Sequence, residues 1–263
     1  MIEEYWTQGF MNLRGIVPPV LRRDLRREAD KARILARANL GPQAPRLTAI
    51  DQYADRIDLA PFRDYCELPE LCNAITRIFG DGFIPSRVDA MSILIEPLDH
   101  SWVHGWHRDG AIEVPPGRQS DADVRGALAE LWRSPHIFNQ VNCALYRDST
   151  LWFVPGSHAR DDLPGEIQTS YTDLCPIKTD HPSEEEFEQI CLDHAQELKG
   201  AVQIHQEPGD FLVYRNAGWH CAHIVKYQPR ATLHHNCHST NWKGFSDFKY
   251  DWSAIRRRAS AAT

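Results

Sequence analysis

Trp102-Val103-His104-Gly105-Trp106-His107-Arg108-Asp109-Gly110 is aromatic and β-branched along its length and closes on Asp-Gly, the composition of a strand that runs into a turn. Side chains alternate across a strand, so a His-x-Asp pair presents its imidazole and its carboxylate to the same side. His107 and Asp109 can therefore reach one metal ion. A second histidine from elsewhere in the chain would complete a 2-His-1-carboxylate set, which leaves adjacent coordination positions open for other ligands. The pair alone is a weak signal, because a chain with 13 histidines produces such a spacing by chance.

Downstream segments strengthen it. Gly209-Asp210 is a turn feeding Phe211-Leu212-Val213-Tyr214, and Trp219-His220 and Arg230-Ala231-Thr232 follow. A guanidinium grips a carboxylate as a two-pronged fork and a hydroxyl adds a further hydrogen bond, so Arg230 and Thr232, on one face by alternation, suit a dicarboxylate cosubstrate. His220 and His223 both qualify as the distant ligand. Between the two halves lies Pro155-Gly156-Ser157-His158, where His158 reads as a brace for its loop. His205-Gln206-Glu207 repeats the His-x-acid spacing but runs into Pro208-Gly209, a structural turn. His100 and His104 precede the pair as supporting or surface residues, and Cys221 faces away from His220 if that stretch is extended.

Helices come first along the chain. Pro18-Pro19 opens one through Leu40 that Gly41-Pro42 stops, and a second spans Pro69 to Phe79. Short strands follow over Val88–Ile95, Ile137–Tyr146, Leu151–Val154, Ala201–His205, Phe211–Tyr214 and Ala231–Cys237. Two helices interrupt them, Ala122–Arg133 and Ser183–Leu198, the second with a Ser183/Glu186 capping box. Helices followed by many short strands predict a mainly β barrel or sandwich supported by helices.

The order His107-x-Asp109, Pro155-Gly156-Ser157-His158, Gly209-Asp210, His220 and Arg230, with an opening from Tyr5 to Val17, resembles the phytanoyl-CoA dioxygenase-like family of iron(II)/2-oxoglutarate-dependent oxygenases. The resemblance spans most of the chain. It implies a double-stranded β-helix (jelly-roll) core in a single domain, residues 1–263, with helices from about 18 to 80 packed on it. It implies Fe(II) on His107, Asp109 and His220, the spacing to Arg230 favouring His220 over His223. It also implies 2-oxoglutarate held by Arg230 with Thr232, and O2 consumed as 2-oxoglutarate is decarboxylated to succinate and CO2. Related halogenases carry a small residue in place of the carboxylate, so Asp109 favours oxygenase outcomes, hydroxylation first. With Arg230 and Thr232 facing the barrel interior, His234, Asn236 and His238 continue that face, and Phe138, Gln140, Asn142 and Tyr146 share one on their own strand. Gln140 and Asn142 are expected beside the cofactors, and Trp106, Phe138 and His234 in the substrate pocket. Two other readings compete: a jelly-roll that binds a metal or small molecule without catalysis, and a cupin-type metalloenzyme that uses no 2-oxoglutarate.

Composition narrows the partners. Net charge is −7 over 263 residues, which argues against a nucleic-acid-binding surface and weakly against polyanionic coenzyme A esters. Seven scattered cysteines without a C-x-x-C pair argue against a disulfide framework and fit a reducing cytoplasm. The acidic Met1-Ile2-Glu3-Glu4 start lacks a signal peptide's basic region, and no apolar run approaches a membrane span. The expected partner is a small organic substrate; no oligomeric state follows from the sequence.

Overall fold

The computed structural model describes residues 2–110, 139–166 and 183–239, together with Ala122, Gly126, Leu128, Ala129 and Trp132. The expected helix Ala122–Arg133 therefore lies largely outside the described residues, and Phe138 lies outside them altogether.

Helix α1 (Ile2–Gln8) leads into strand β1 (Phe10–Leu13), and helix α2 (Pro19–Leu40) follows. Proline at the first turn of α2 gives up no internal hydrogen bond, and Gly41 ends the helix at φ 88°. Helix α3 (Ala60–Cys66) precedes α4 (Pro69–Phe79), again with proline at the start and glycine at the end. The helix Glu184–Gln196 opens on the expected capping box, formed by Ser183 and Glu186 in both directions.

The strands are β2 (Arg46–Leu47), β3 (Phe83–Ile84), β4 (Ser92–Ile95), β5 (Trp102–His107), β6 (Gln140–Ala144), β7 (Leu151–Phe153), β8 (Val202–Gln203), β9 (Phe211–Tyr214), β10 (His220–Ile224), β11 (Ala231–His235) and β12 (His238–Ser239). Several are shorter than the sequence suggests. Val88–Ala90 is a 3-10 turn before β4, because Asp89 folds back to pair with Arg87.

A larger sheet runs β1-β9-β6-β11-β4-β2 and a smaller one β5-β10-β7-β8, with all pairs antiparallel. From β4 to β11 the chain passes back and forth between the two sheets, and each sheet pairs an early strand with a late one, such as β5 with β10 and β4 with β11. This is the double-stranded β-helix. Alternation along the larger sheet gives each face its own core. Val141, Cys143, Phe211, Val213, Ala231 and Leu233 pack outward against Leu25, Ala29, Leu71 and Ile75 of the helices. Leu212 and Tyr214 turn inward to meet Leu151 and Phe153 of the opposite sheet. The inward face, lined by β5, β6, β10 and β11, is where the candidate residues converge.

Candidate active site

His107 ends β5 and His220 begins β10, and the two are direct partners across the strands. Their rings lie 4.2 Å apart by centroid. Asp109, two residues past His107, brings its Oδ1 to 3.4 Å from His107 Nε2 and 3.8 Å from His220 Nε2. Nδ1 of His107 sits 2.7 Å from Gly105 O and Nδ1 of His220 sits 2.8 Å from Gly218 O. A carbonyl oxygen only accepts, so each Nδ1 carries a proton, and each Nε2 is the ring nitrogen aimed at the space beside Asp109. Asp109 is oriented just as firmly: its Oδ2 accepts from Asn216 Nδ2 at 2.9 Å and from Gln140 Nε2, while Oδ1 is left for a cation. Burial disfavours the Asp109 carboxylate, but His107, His220 and Asn216 outweigh it and hold its pKa well below the usual carboxylate range. Burial pushes His220 down to about 4, so it is neutral near pH 7.

Expected ligand and supporting roles are separated by this geometry. Gln140 links the carboxylate of Asp109 to the hydroxyl of Tyr214, which donates to its Oε1 at 2.5 Å. Asn142 uses its side chain within the sheet, its Oδ1 lying 2.8 Å from Nδ1 of His234, its partner across β11. His223 is turned to the opposite face of β10, toward His194 and away from Asp109. Trp106 is a correction: alternation next to His107 sends it outward, where its ring stacks on His194 and its Nε1 donates to His194 O. It therefore does not line the inward pocket. Of His238, the strand position is described and the side chain is not.

His104 takes the inward place instead. Between the His107–His220 and His104–Ala222 pairs, β5 advances three residues while β10 advances two. That one-residue bulge puts His104 on the same side as His107, ring stacked on ring at 4.3 Å and 11°. Its Nε2 is buried with no hydrogen-bond partner among the described residues.

Arg230 and Thr232 come together as expected, joined by a residue that spacing did not reveal. Asp148 Oδ2 accepts from Arg230 Nε at 3.0 Å and from Thr232 Oγ1 at 2.5 Å, and Oδ1 accepts from the Thr150 amide and hydroxyl. Burial raises the Asp148 carboxyl, but Arg230, Thr232 and Thr150 more than offset it and hold it at about 2. Arg230 hydrogen-bonds through Nε and its amide, which leaves the Nη edge of the fork unengaged among the described residues. Helix α2 sets the backbone here: Arg33 donates to Arg230 O, and Glu96, paired with Arg33 and Arg37, accepts from Arg230 N.

The remaining motif residues are supports. Ser157 Oγ accepts from the Trp219 amide at 2.8 Å, fixing the residue just before His220. His158 Nε2 lies 3.1 Å from Trp6 O, tying the same loop to α1. Buried Asp210 accepts from Gly15 N and Arg14, tying the N-terminal segment to the β9 turn.

No protein-family model matches this sequence, and no curated protein does either. Solved structures of the same fold do. The non-haem α-ketoglutarate-dependent epimerase SnoN of nogalamycin biosynthesis, in complex with Fe3+, α-ketoglutarate and nogalamycin RO, is 14% identical over 95% of this chain and 90% of its own, with a TM-score of 0.53. AviO1 from Streptomyces viridochromogenes is 16% identical over 92% of this chain and 95% of its own, at 0.54. EctD from S. alaskensis with bound Fe is 13% identical over 90% of this chain and 75% of its own, at 0.52. The chain thus has the double-stranded β-helix fold found in iron- and α-ketoglutarate-dependent enzymes.

Proposed function

We propose that this chain is a non-haem iron(II)/2-oxoglutarate-dependent oxygenase of the phytanoyl-CoA dioxygenase-like kind, most simply a hydroxylase of a small polar metabolite, acting as one domain in the cytoplasm. The observation that carries this reading is the convergence of the two Nε2 atoms and one carboxylate oxygen from His107, His220 and Asp109. Two imidazoles and one carboxylate form the ligand set that suits Fe(II) with open positions, and the backbone and amide partners behind them supply the orientation such a centre needs.

When bound, iron with 2-oxoglutarate and O2 supplies the oxidising power, with succinate and CO2 as coproducts. The chain's residues do the rest. Asp109 stays ionised and fixed by Gln140 and Asn216. Arg230, steered by Asp148 through Nε, offers its Nη edge to the distal carboxylate of 2-oxoglutarate. His104 Nε2 and His234 give the pocket polar groups that favour a substrate with hydrogen-bonding functions. The fold neighbour that handles nogalamycin RO is in keeping with a small natural product.

The test is anaerobic loading with Fe(II) and 2-oxoglutarate followed by O2, with succinate measured by mass spectrometry across a metabolite panel. His107→Ala, Asp109→Ala and His220→Ala are expected to lose bound iron and succinate formation while remaining folded. Iron retained by His220→Ala would overturn the ligand assignment, and iron binding without any succinate would favour a non-catalytic or 2-oxoglutarate-independent protein.

A further inference from the structure

Beside His220 on β10, Cys221 and His223 point the other way, to the outer face of the smaller sheet. The helix Glu184–Gln196 lies across that face, with Phe187 and Cys191 packed on Val103. His194, in its last turn, comes down on the two β10 residues: its Nδ1 is 3.0 Å from His223 Nε2, and Cys221 Sγ is 3.7 Å from the same nitrogen. All three ligand atoms lie within 4.8 Å of one another. A tetrahedral zinc site with metal–nitrogen bonds of about 2.0–2.1 Å and a metal–sulfur bond of about 2.3 Å separates its nitrogens by roughly 3.3 Å and nitrogen from sulfur by roughly 3.6 Å. The two separations from His223 Nε2, 3.0 Å to His194 Nδ1 and 3.7 Å to Cys221 Sγ, are within a few tenths of an ångström of those values.

We propose that His194, Cys221 and His223 form a second metal site, for a thiophilic divalent cation of the zinc class. One thiolate and two imidazoles suit Zn2+, whereas the all-nitrogen-and-oxygen set on the inward face suits iron, so the two sites differ in preference as well as position. The surroundings shield a site of three protein ligands. Trp106 stacks on the His194 ring at 6.0 Å and Trp152 lies against His223 at 5.8 Å, screening the cluster. A fourth position is left for water. The ion would pin the helix to the strand that carries His220.

The experiment is Co(II) titration of the full chain under reducing conditions. The inward site contains no sulfur, so a thiolate-to-cobalt charge-transfer band that disappears when Cys221 is replaced reports the outer site. With the inward site first filled by Fe(II), the expected result is such a band saturating at one equivalent, lost in Cys221→Ser and in His223→Ala. His194→Gln, at the margin of the helix, is the variant least able to disturb folding, and it should also lose the band while iron binding at the inward site persists. With the inward site already filled by Fe(II), zinc should raise the thermal midpoint of the wild type and leave that of His194→Gln unchanged. Absence of the band in the wild type, or its persistence in Cys221→Ser, would overturn the proposal.

Discussion

Arg230 and Asp148 set the terms at the residue scale. A buried arginine needs a countercharge, yet a countercharge that filled both edges of the guanidinium would leave nothing for a ligand. Asp148 binds only Nε and shares its oxygen with Thr232, so the fork is held in plane with its far edge open. Arg230→Lys keeps the charge and loses the fork. A charge-assisted hydrogen bond is worth about 1.5–3 kcal/mol, so affinity for 2-oxoglutarate should fall about ten- to a hundredfold. An anaerobic titration of the iron(II)–2-oxoglutarate absorbance reads this directly, and an Arg230→Lys protein that titrated like wild type would remove the clamp from the mechanism. Asp148→Ala acts on stability instead. It strands Arg230 and the Thr232 hydroxyl without their acceptor, and removing one partner of a buried pair costs about 3–5 kcal/mol, measurable by urea unfolding.

At the scale of elements, the inward face depends on two irregular features of the β5–β10 pair. One is the bulge that turns His104 beside His107. The other is Gly218, whose carbonyl fixes His220 and whose missing side chain makes room for Phe153: a Cβ there would stand 2.3 Å from the Phe153 ring. That ring is stacked on His220 at 6.5 Å and 22°. Gly218→Ala must therefore displace Phe153 and, through it, the imidazole. Overpacking of this kind costs about 1–3 kcal/mol, and misorienting a ligand's support lowers metal affinity about ten- to a hundredfold. Iron titration alongside urea unfolding checks both, and Gly218→Ala with Phe153→Leu should recover much of each loss. If Gly218→Ala alone bound iron as tightly as wild type, the ring would not be what sets the pose of His220.

Over the whole molecule, what the sequence made legible was what local rules govern. The His107-x-Asp109 spacing, the proline-to-glycine frame of α2 and α4 and the Ser183/Glu186 box all follow from period and capping. Features that depend on a strand's partner were hidden: the bulge that brings His104 inward is defined only against β10, and Asp148 meets Arg230 from 82 residues away. The same convergence of polar groups inside the barrel leaves a global signature in acid. Burial, reinforced by Arg46 and Arg230, pushes His234 down to about 3 from an ordinary value near 6.5. The unfolded chain then binds a proton that the folded chain refuses, so this histidine's contribution to stability is complete above about pH 6.5 and declines as pH falls toward 3. Asp148 acts in the same direction but only lower, between its unfolded value near 4 and about 2. Between pH 6 and pH 5 the loss thus belongs to histidines, at up to about 1.4 kcal/mol per pH unit for each one kept neutral. Urea unfolding of the metal-free protein across that range should show stability falling with acid, and His234→Gln should show a slope shallower by about one proton. An unchanged slope in that variant would mean that His234 already carries its proton in the fold, and that the pocket is wetter than its buried polar lining implies.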